Sequence, residues 1–445
     1  MKEFQLQWND MTKGISPTPQ QSKNSAFLTD AYGVKIGKYG VEAQPTISSL
    51  SSMPSVIWPF PQVVKTSVAL FVLSGTKMYE MDSVGNLIER VGSFVSAGQW
   101  DVADFLKYQV WTDGTNLIVR DHGAFLALRT GDAYVPKSVC AFRGQMILGG
   151  LGTNKDWLAW SNIGHVDLTT LLGAAYGLSS TDVKNTAGNM KMPYSGQVHK
   201  VLSLGEAVIA YGENGSIALL PATSPAPGYG VRELGGLCVS QARAVGGDLN
   251  KHLIVDSDGY VWTIGADLKV ERLGYNRLFA GQTVSISHDD LTGDFYISTS
   301  SNTYLLSAGL SRLDRILTSA VRFGGDLLAA YTNQASADCL LVSDIIDMGL
   351  TGIKTVTAIE VGTDSEDVYV AVDYRYRNSG NFTTSRYKQV YRNGMVFPII
   401  SGTNFRVRVK GTDPTDFSIS YVNIKWKLSD KRAVRGTYAD DKNVS

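Results

Sequence analysis

HLIVDSDGYVW, residues 252–262, contains a complete strand-turn-strand unit in a single short stretch. The apolar run HLIV is followed by Ser257, Asp258 and Gly259, and then by a second apolar run, YVW. Asp-Gly between apolar runs is a strong hairpin signal, because tight turns need positive φ angles that glycine adopts at little cost. The stretch therefore predicts two antiparallel strands joined by a short turn.

The same unit recurs along the chain, roughly every 35 to 45 residues apart from one longer gap. A repeat of that length, built from strand pairs, predicts the blades of a β-propeller. The physical reason is that a lone four-stranded sheet cannot bury both faces, whereas a ring of such sheets can. We expect six or seven blades within residues 65–335. The other copies lie at residues 69–82, 108–119, 139–149, 207–215, 295–306 and 320–331.

The longer gap predicts an insertion at residues 163–200. Asp167 is a suitable N-cap for a helix, and Leu168, Leu171 and Leu172 would give that helix an apolar stripe. The rest of the insertion is polar. Long insertions in repeat arrays often lie on the working face, but a loop without a role explains the sequence equally well.

The two ends of the chain differ from the repeats. Residues 1–64 are rich in Pro, Ser and Gln and predict an extended N-terminal arm. Residues 338–430 predict a separate antiparallel β-sandwich, because several of their segments alternate apolar and polar side chains. Residues 431–445 form a charged tail. The sandwich strands are expected at residues 354–361, 368–377, 387–392, 405–410 and 422–429. The predicted fold class is thus all-β, a β-propeller-like repeat domain followed by a C-terminal antiparallel β-sandwich.

Charge and cysteine content limit the functions that are compatible with the chain. Lys plus Arg and Asp plus Glu number 41 each, which disfavours a dedicated binder of duplex DNA. The three cysteines, Cys140, Cys238 and Cys339, match no zinc or disulfide pattern. We expect each of them to act as a small buried hydrophobic residue in a strand. Neither a signal peptide nor an apolar stretch long enough to span a membrane is visible, so we expect no membrane insertion.

No motif in the sequence indicates catalysis, and the chain is predicted not to be an enzyme. Walker, Gly-x-Ser-x-Gly, His-Glu-x-x-His and Cys-x-x-Cys motifs are missing. The five histidines are scattered singly. The acidic segments 288–294 and 256–259 lack the ligand spacing of a calcium loop and are expected to be polar turns. We therefore predict no catalytic residue, no cofactor and no metal.

One region does carry excess charge. Residues 366–436 contain thirteen Arg and Lys against six acidic residues, a net charge of +7. Arginines and tyrosines alternate there, a mixture that suits a phosphate backbone and stacked bases. A solvated sandwich face, or an interface with an acidic neighbouring subunit, explains the same pattern. The candidate DNA-contacting or subunit-contacting residues are Arg375, Arg377, Arg386, Lys388, Arg392, Arg406, Arg408 and Lys410.

Two stretches resemble the β-propeller tail-hub or nozzle proteins of short-tailed, podovirus-type bacteriophages. The first is FRGQMILG at residues 142–149, followed by WLAWSNIG at residues 157–164. The second is ISYVNIKWK at residues 419–427, with Asp430-Lys431-Arg432 after it. Together with the repeats, the resemblance covers most of residues 65–435.

The resemblance implies a structural virion protein without catalytic residues. It would form a ring, expected to be a hexamer, that extends the tail channel below the portal and adaptor and guides genome ejection. It would also anchor tail fibres or a tail plug, touch double-stranded DNA only transiently and non-specifically, and assemble in the host cytoplasm. Two alternatives stay open: a carbohydrate-binding or carbohydrate-hydrolysing β-propeller, and a neck or baseplate protein of a long-tailed phage.

Overall fold

A computed structural model describes most of the chain. The described residues are 4–8, 13–18, 23–50, 53–91, 100–121, 123–130, 135–164, 186–222, 228–333, 338–350, 352–377 and 380–429. They form two compact units. The propeller unit comprises Ile47–Ser301 and Ile316–Thr332, and the terminal unit comprises Met1–Thr46, Asn302–Arg315 and Asn333–Ser445.

Strands make up 57% of the structure and helices 2%, which confirms the all-β prediction. The described residues contain one short α-helix, α1 (Asn276–Phe279), and a 3-10 turn at Ala242–Ala244. The strands up to the first blade are β1 (Phe4–Trp8), β2 (Leu28–Tyr32), β3 (Val34–Ile36), β4 (Val41–Ala43) and β5 (Ile47–Ser48).

The propeller unit contains five four-stranded antiparallel sheets, each made of strands consecutive in sequence. They are β6 (Gln62–Lys65), β7 (Leu70–Ser74), β8 (Lys77–Met81) and β9 (Leu87–Val91); β10 (Asp101–Phe105), β11 (Tyr108–Thr112), β12 (Asn116–Asp121) and β13 (Ala124–Thr130); β14 (Pro136–Phe142), β15 (Gln145–Leu151), β16 (Asn154–Trp160) and β17 (Gly188–Lys191); β18 (Val198–Leu204), β19 (Ala207–Gly212), β20 (Gly215–Ala222) and β21 (Gly228–Glu233); β22 (Val245–Gly247), β23 (Lys251–Val255), β24 (Val261–Gly265) and β25 (Val270–Gly274).

The remaining strands follow in chain order and belong to both units. They are β26 (Ser285–His288), β27 (Phe295–Ser298), β28 (Thr303–Leu306), β29 (Leu310–Arg312), β30 (Arg315–Phe323), β31 (Asp326–Asn333), β32 (Cys339–Ser343), β33 (Lys354–Gly362), β34 (Val368–Arg375), β35 (Thr383–Thr384), β36 (Lys388–Gln389), β37 (Met395–Val396), β38 (Ile400–Gly402), β39 (Asn404–Gly411) and β40 (Tyr421–Leu428).

The stretch at residues 252–262 forms the predicted hairpin, as β23 and β24. Asp256 organises its turn, because one carboxylate oxygen accepts the backbone N–H of Asp258 at 3.0 Å and of Tyr260 at 2.8 Å. Gly259 has a φ of +82°, and a Cβ there would lie only 2.4 Å from the backbone nitrogen of Ala280. Glycine is therefore required by both the turn and the close approach of the neighbouring chain.

Neighbouring sheets of the propeller unit are held together by apolar side chains at their facing surfaces. Phe71 of β7 meets Trp111 of β11 edge to face, with ring centroids 4.8 Å apart. The cluster around them also contains Leu73, Met78 and Ile118. Similar clusters join the second sheet to the third and the third to the fourth. The second strand of each of these four blades, β7, β11, β15 or β19, thus buries side chains on both faces, as a propeller requires.

The succession of sheets returns to its starting point. Ser285 of β26 donates a hydrogen bond to the carbonyl of Thr318 in β30, and Ser319 in turn donates to the carbonyl of Val63 in β6. Ala330 of β31 lies in one apolar cluster with Val63 and Leu70. Strand β5 completes this last sheet by pairing parallel to β31. Five sheets, the β26–β27 hairpin and the β30-β31-β5 sheet give seven blade positions.

The terminal unit contains two further sheets. One has the order β28-β29-β2-β32-β39-β34-β35, with β36 also pairing with β34. The other has the order β1-β40-β33-β37, with β38 also pairing with β33. The alternation predicted for residues 405–410 is present, since Phe405, Val407 and Val409 are buried. The C-terminal antiparallel sheets are therefore confirmed.

The units differ from the predicted domains at the N-terminus. Residues 1–64 were expected to form an extended arm, but β2 lies inside a sheet, between β29 and β32. Its residues Leu28 and Ala31 are completely buried. A five-residue strand with two polar residues carries too little alternation to be recognised without its partners. Likewise, β17 and the start of β18 fall within the predicted insertion at 163–200, whereas the predicted helix from Asp167 lies outside the described residues.

The cysteine prediction holds for two of the three residues. Cys140 in β14 and Cys339 in β32 are buried free thiols, and burial raises both pKa values well above the usual thiol value. For Cys238 the prediction is wrong, because this residue lies outside any strand and is only partly buried. The loop that holds it has no alternation, which is why spacing alone did not distinguish it.

Candidate functional site

The eight predicted basic residues all lie between residues 375 and 410 of the terminal unit, but their surroundings differ. Arg375 ends β34, Lys388 lies in β36, and Arg406, Arg408 and Lys410 project from β39. The other three, Arg377, Arg386 and Arg392, lie between strands and are exposed. The structure therefore separates residues used inside the sheet from residues that face solvent.

Arg408 and Lys410 are engaged in ion pairs within the sheet. Arg408 Nε lies 2.8 and 2.9 Å from the two carboxylate oxygens of Asp373, whose side chain is only 1% exposed. The hydrogen bond to Asp373 raises the pKa of Arg408. Lys410 Nζ lies 2.7 Å from the carboxylate of Asp338. Because removing Arg408 would leave the buried carboxylate of Asp373 without its partner, Arg408 serves the fold.

Arg375 and Arg406 stack on a single aromatic ring. Their guanidinium carbons lie 4.5 and 4.4 Å from the ring centroid of Phe382. Arg375 also donates to the carbonyl of Gly380 at 3.1 Å. Burial lowers the pKa of Arg406, since the charged form loses hydration. The interleaving of arginine and aromatic residues is thus explained in part by contacts within the chain.

Of the four remaining basic residues, Lys388 donates from Nζ to the carbonyl of Phe397 at 2.7 Å. The three exposed arginines belong to a segment that we call the aromatic–basic segment. Its exposed aromatic members include Tyr391, 64% exposed, and Phe397, 46% exposed, whose ring centroids lie 6.4 Å apart. Arg377, Arg386 and Arg392 form no salt bridge with any residue that the structure describes. Exposed aromatic and arginine side chains together are typical of contact surfaces between proteins. The segment consists of Tyr376, Arg377, Arg386, Tyr387, Tyr391, Arg392 and Phe397.

A groove of about 560 Å³ runs beside this segment. Tyr391 and Arg392 line one part of it, and Asp364 and Glu366 line another. The lining therefore carries two acidic side chains and one basic side chain. Two carboxylates in the groove would repel a phosphate backbone, whereas a protein surface with mixed charges would fit. This geometry favours a subunit contact over DNA for Arg392.

The acidic segments predicted to be polar turns are built as such. In residues 288–294, Asp289 is fully buried and forms an ion pair with Arg322, and its carboxylate accepts the N–H of Leu291 at 3.1 Å. Among the described residues, no group of three or more His, Cys, Asp or Glu side chains is arranged to hold a metal ion. Within the same residues, no helix has the length and apolar character needed to cross a membrane.

The sequence WSNIG at residues 160–164 closes the third sheet of the propeller unit. Asn162 Oδ1 accepts the backbone N–H groups of Thr186, at 2.6 Å, and of Ala187, at 2.8 Å. The indole N–H of Trp160 donates to the carbonyl of Thr186 at 3.1 Å. Ser161 Oγ accepts the N–H of Met146 at 2.9 Å. These bonds fix the chain on both sides of the segment 165–185, just before β17.

No family model matches the chain, and no curated protein matches its sequence. Among solved structures, the chain is similar to PorZ, a surface component of the type-IX secretion system of Porphyromonas gingivalis, with 11% identity and a TM-score of 0.38. That likeness covers 67% of this chain and 36% of PorZ.

Two further structures are similar at the same level. A quinonprotein alcohol dehydrogenase-like protein from Bacteroides thetaiotaomicron has 11% identity and a TM-score of 0.36, over 57% of this chain and 65% of that protein. Hsv2p from Kluyveromyces lactis has 10% identity and a TM-score of 0.35, over 61% of this chain and 84% of Hsv2p. None of these names points to a phage tail, and likenesses this weak carry no argument about function. The chain is a β-propeller-type protein by its own strand pairing.

Proposed function

We propose that the chain is a structural protein of a bacteriophage tail, a nozzle or hub that forms part of the channel for genome ejection. In this proposal it assembles in the host cytoplasm into a ring, a hexamer, and becomes part of the virion tail. Its neighbours are adaptor or portal-side proteins on one side and fibres or a plug on the other. It contacts double-stranded DNA only transiently.

The observation that carries the proposal is the role of the residues on which the resemblance rests. FRGQMILG forms the β14–β15 hairpin, and Arg143 and Gly144 adopt φ angles of +47° and +75° at its turn. WLAW belongs to β16, and Asn162 then binds the chain that returns as β17. The residues that carry the resemblance therefore form one connected part of the third sheet. ISYVNIKWK likewise enters β40, while Asp430, Lys431 and Arg432 lie outside the described residues.

Assembly needs a contact surface, and the aromatic–basic segment supplies a candidate. Tyr391 and Arg392 are exposed and line a groove that also holds Asp364 and Glu366. A ring of identical subunits joins two different patches of each chain, so complementary charges on such a surface set the register. We assign Tyr391 and Arg392 to this contact, and not to a DNA-binding role.

The proposal is tested by measuring the mass and shape of the purified protein. Light scattering after size-exclusion chromatography, with negative-stain microscopy of the same fractions, should show rings with a central channel. The double variant Tyr391→Ser/Arg392→Ser should shift the protein towards monomers. The matched control is Lys38→Ser/Tyr39→Ser, which removes another exposed cation and aromatic pair, 5.2 Å apart, from the same unit. Rings that survive the first variant, or a wild-type protein that stays monomeric alone and with tails, would contradict the proposal.

The two alternatives make different predictions in the same experiments. A carbohydrate-acting propeller would bind oligosaccharides as a monomer, and a hydrolase would need two convergent carboxylates in a cleft. A neck or baseplate protein would also form rings, but its position in a virion would differ. No contact in the described residues favours either alternative.

A further inference from the structure

The first strands of the blades converge on a cavity inside the propeller unit, which we call the central cavity. Its volume is about 90 Å³, enough for more than one water molecule or for one small polyatomic ion. The lining comes from six different blade positions, which places the cavity where the blades meet. Its residues are Gln62, Trp100, Asp101, Lys200, Ala242, Arg243, Val245, Ser285, Ile286 and Ser319.

Two of the charged lining residues neutralise each other. Lys200 Nζ lies 2.5 Å from Asp101 Oδ1, and both side chains are largely buried, 17% and 10% exposed. The other carboxylate oxygen of Asp101 accepts the hydroxyl of Ser138 and the backbone N–H of Val139. The carboxylate is thus fully used, and this pair adds no net charge to the cavity.

Arg243 is different, because no carboxylate among the described residues pairs with its charge. The residue is 7% exposed and forms no salt bridge with any described residue. Its Nη1 donates to the carbonyl of Pro59, and its guanidinium carbon lies 5.4 Å from the ring centroid of Phe60. Nη2 is buried without a hydrogen-bond partner among the described residues. Burial lowers the pKa of Arg243 to about 10, so the side chain is still a cation at neutral pH.

Gln62 supplies the opposite kind of unpaired group. Its Nε2 donates to the carbonyl of Trp100 at 2.9 Å, which fixes the orientation of the amide. The other end, Oε1, is buried and accepts no hydrogen bond from the described residues. One cavity therefore contains a cationic donor and a neutral acceptor that are both unsatisfied. Buried polar groups are normally paired, and an unpaired buried cation is especially unfavourable.

We infer that the central cavity binds a small oxyanion that carries a protonated oxygen, such as hydrogen phosphate. An anionic oxygen would accept from Arg243 Nη2, and the protonated oxygen would donate to Gln62 Oε1. Guanidinium groups are well suited to this class of ligand, since their bonds to oxyanions are charge-assisted. The inference concerns residues of the propeller core and is independent of the tail proposal.

The test compares two anions of similar size and shape by isothermal titration calorimetry. Inorganic phosphate keeps a proton at neutral pH, whereas sulfate does not. The wild-type protein should bind one phosphate per chain, and sulfate about tenfold more weakly, the effect of one lost hydrogen bond. Arg243→Met should weaken both anions by tenfold or more. Gln62→Leu should weaken phosphate alone, down to the affinity for sulfate.

Control variants keep the test decisive. Lys77→Ala removes an exposed lysine that pairs with Glu89, and neither residue lines the cavity, so both affinities should stay unchanged. If Arg243→Met does not fold, Arg243→Lys and Gln62→Leu replace it, with circular dichroism as the check on folding. If no phosphate binding is detected at about 10 mM, the inference is overturned, because a Kd above that concentration would mean negligible affinity. Equal binding by the wild-type and Arg243 variants, or equal affinity for phosphate and sulfate, would also overturn it.

Discussion

In the propeller unit each four-stranded sheet is made of strands that follow one another along the chain, whereas the terminal unit joins strands from distant parts of it. The ion pair between Asp30 and Arg312, within the terminal unit, spans 282 positions. In the propeller unit the partners β11 and β12 are joined by a turn of three residues, 113–115. Local pairing has a small loop-closure entropy cost, and distant pairing a larger one. The stability of the terminal unit should therefore depend more strongly on single chain segments that pair with distant strands.

The largest expected effect comes from removing such a segment. Deletion of residues 1–46 removes β2, the strand that joins β29 to β32, and leaves each of these two strands with one partner. We expect residues 339–428 to become sensitive to limited proteolysis, because the interior of their sheet is broken. Deletion of residues 1–12 is the control, since it removes only the edge strand β1. Equal protease resistance in the two truncated proteins would show that β2 is dispensable.

Core substitutions should act within the unit that contains them. Trp111→Ala empties a fully buried site between two blades, and it should lower the free energy of unfolding by about 3–5 kcal/mol. Hydrogen exchange followed by mass spectrometry should show faster exchange in β7, β11 and β12. Phe405→Ala, the matched change in the terminal unit, should instead affect β34 and β39. Identical exchange maps for the two variants would remove the distinction between the units.

His252 should make the propeller unit sensitive to acid. Its ring is fully buried, hydrogen bonded to Tyr211 at 2.8 Å and to the carbonyl of Ser203 at 3.1 Å. Burial lowers the pKa of His252 to about 4, from an ordinary value of 6.5. Because the folded-state pKa is depressed, the contribution of His252 to the free energy of unfolding is complete above about pH 6.5 and is lost as the pH falls towards 4. The loss is on the order of 3 kcal/mol in all.

The measurement for His252 is the free energy of unfolding in urea across that pH range. His252→Gln cannot titrate and should flatten the slope between about pH 6.5 and 4. His199 and His288 also have pKa values lowered by burial, so part of the slope should remain. An unchanged slope in the variant would mean that His252 does not control the acid response.

The smallest effect on stability is expected at the aromatic–basic segment. Tyr391 and Arg392 are exposed, so Tyr391→Ser/Arg392→Ser should change the free energy of unfolding by no more than about 0.5 kcal/mol. Its effect should appear in assembly alone. Thermal unfolding of the monomeric fraction checks this point, and a large loss of stability would assign these residues to the fold of the terminal unit.

The contrast between the units also explains what the sequence could predict. Hairpins such as β23–β24 are encoded within a few residues by apolar runs and an Asp-Gly turn, so both the fold class and the repeats were predictable. Strand β2 was not, because its partners β29 and β32 lie about 280 and 310 positions away and its own five residues carry a weak pattern.

For the candidate sites too, local features were predictable from the sequence and long-range contacts were not. The excess of basic residues was visible in the sequence, but the pairing of Arg408 with Asp373 depends on the register of β34 and β39. The central cavity left no local signal at all. Gln62, Asp101, Lys200 and Arg243 belong to four different blades, and only ring closure brings them together.

We propose that this propeller-type chain is a structural part of a phage tail. Cryo-electron microscopy of virions from a phage that encodes the chain tests it most directly. We predict a ring of copies around the tail channel, with Tyr391 and Arg392 at a contact with a neighbouring protein. Tails that are complete without any copy of the chain would contradict the claim.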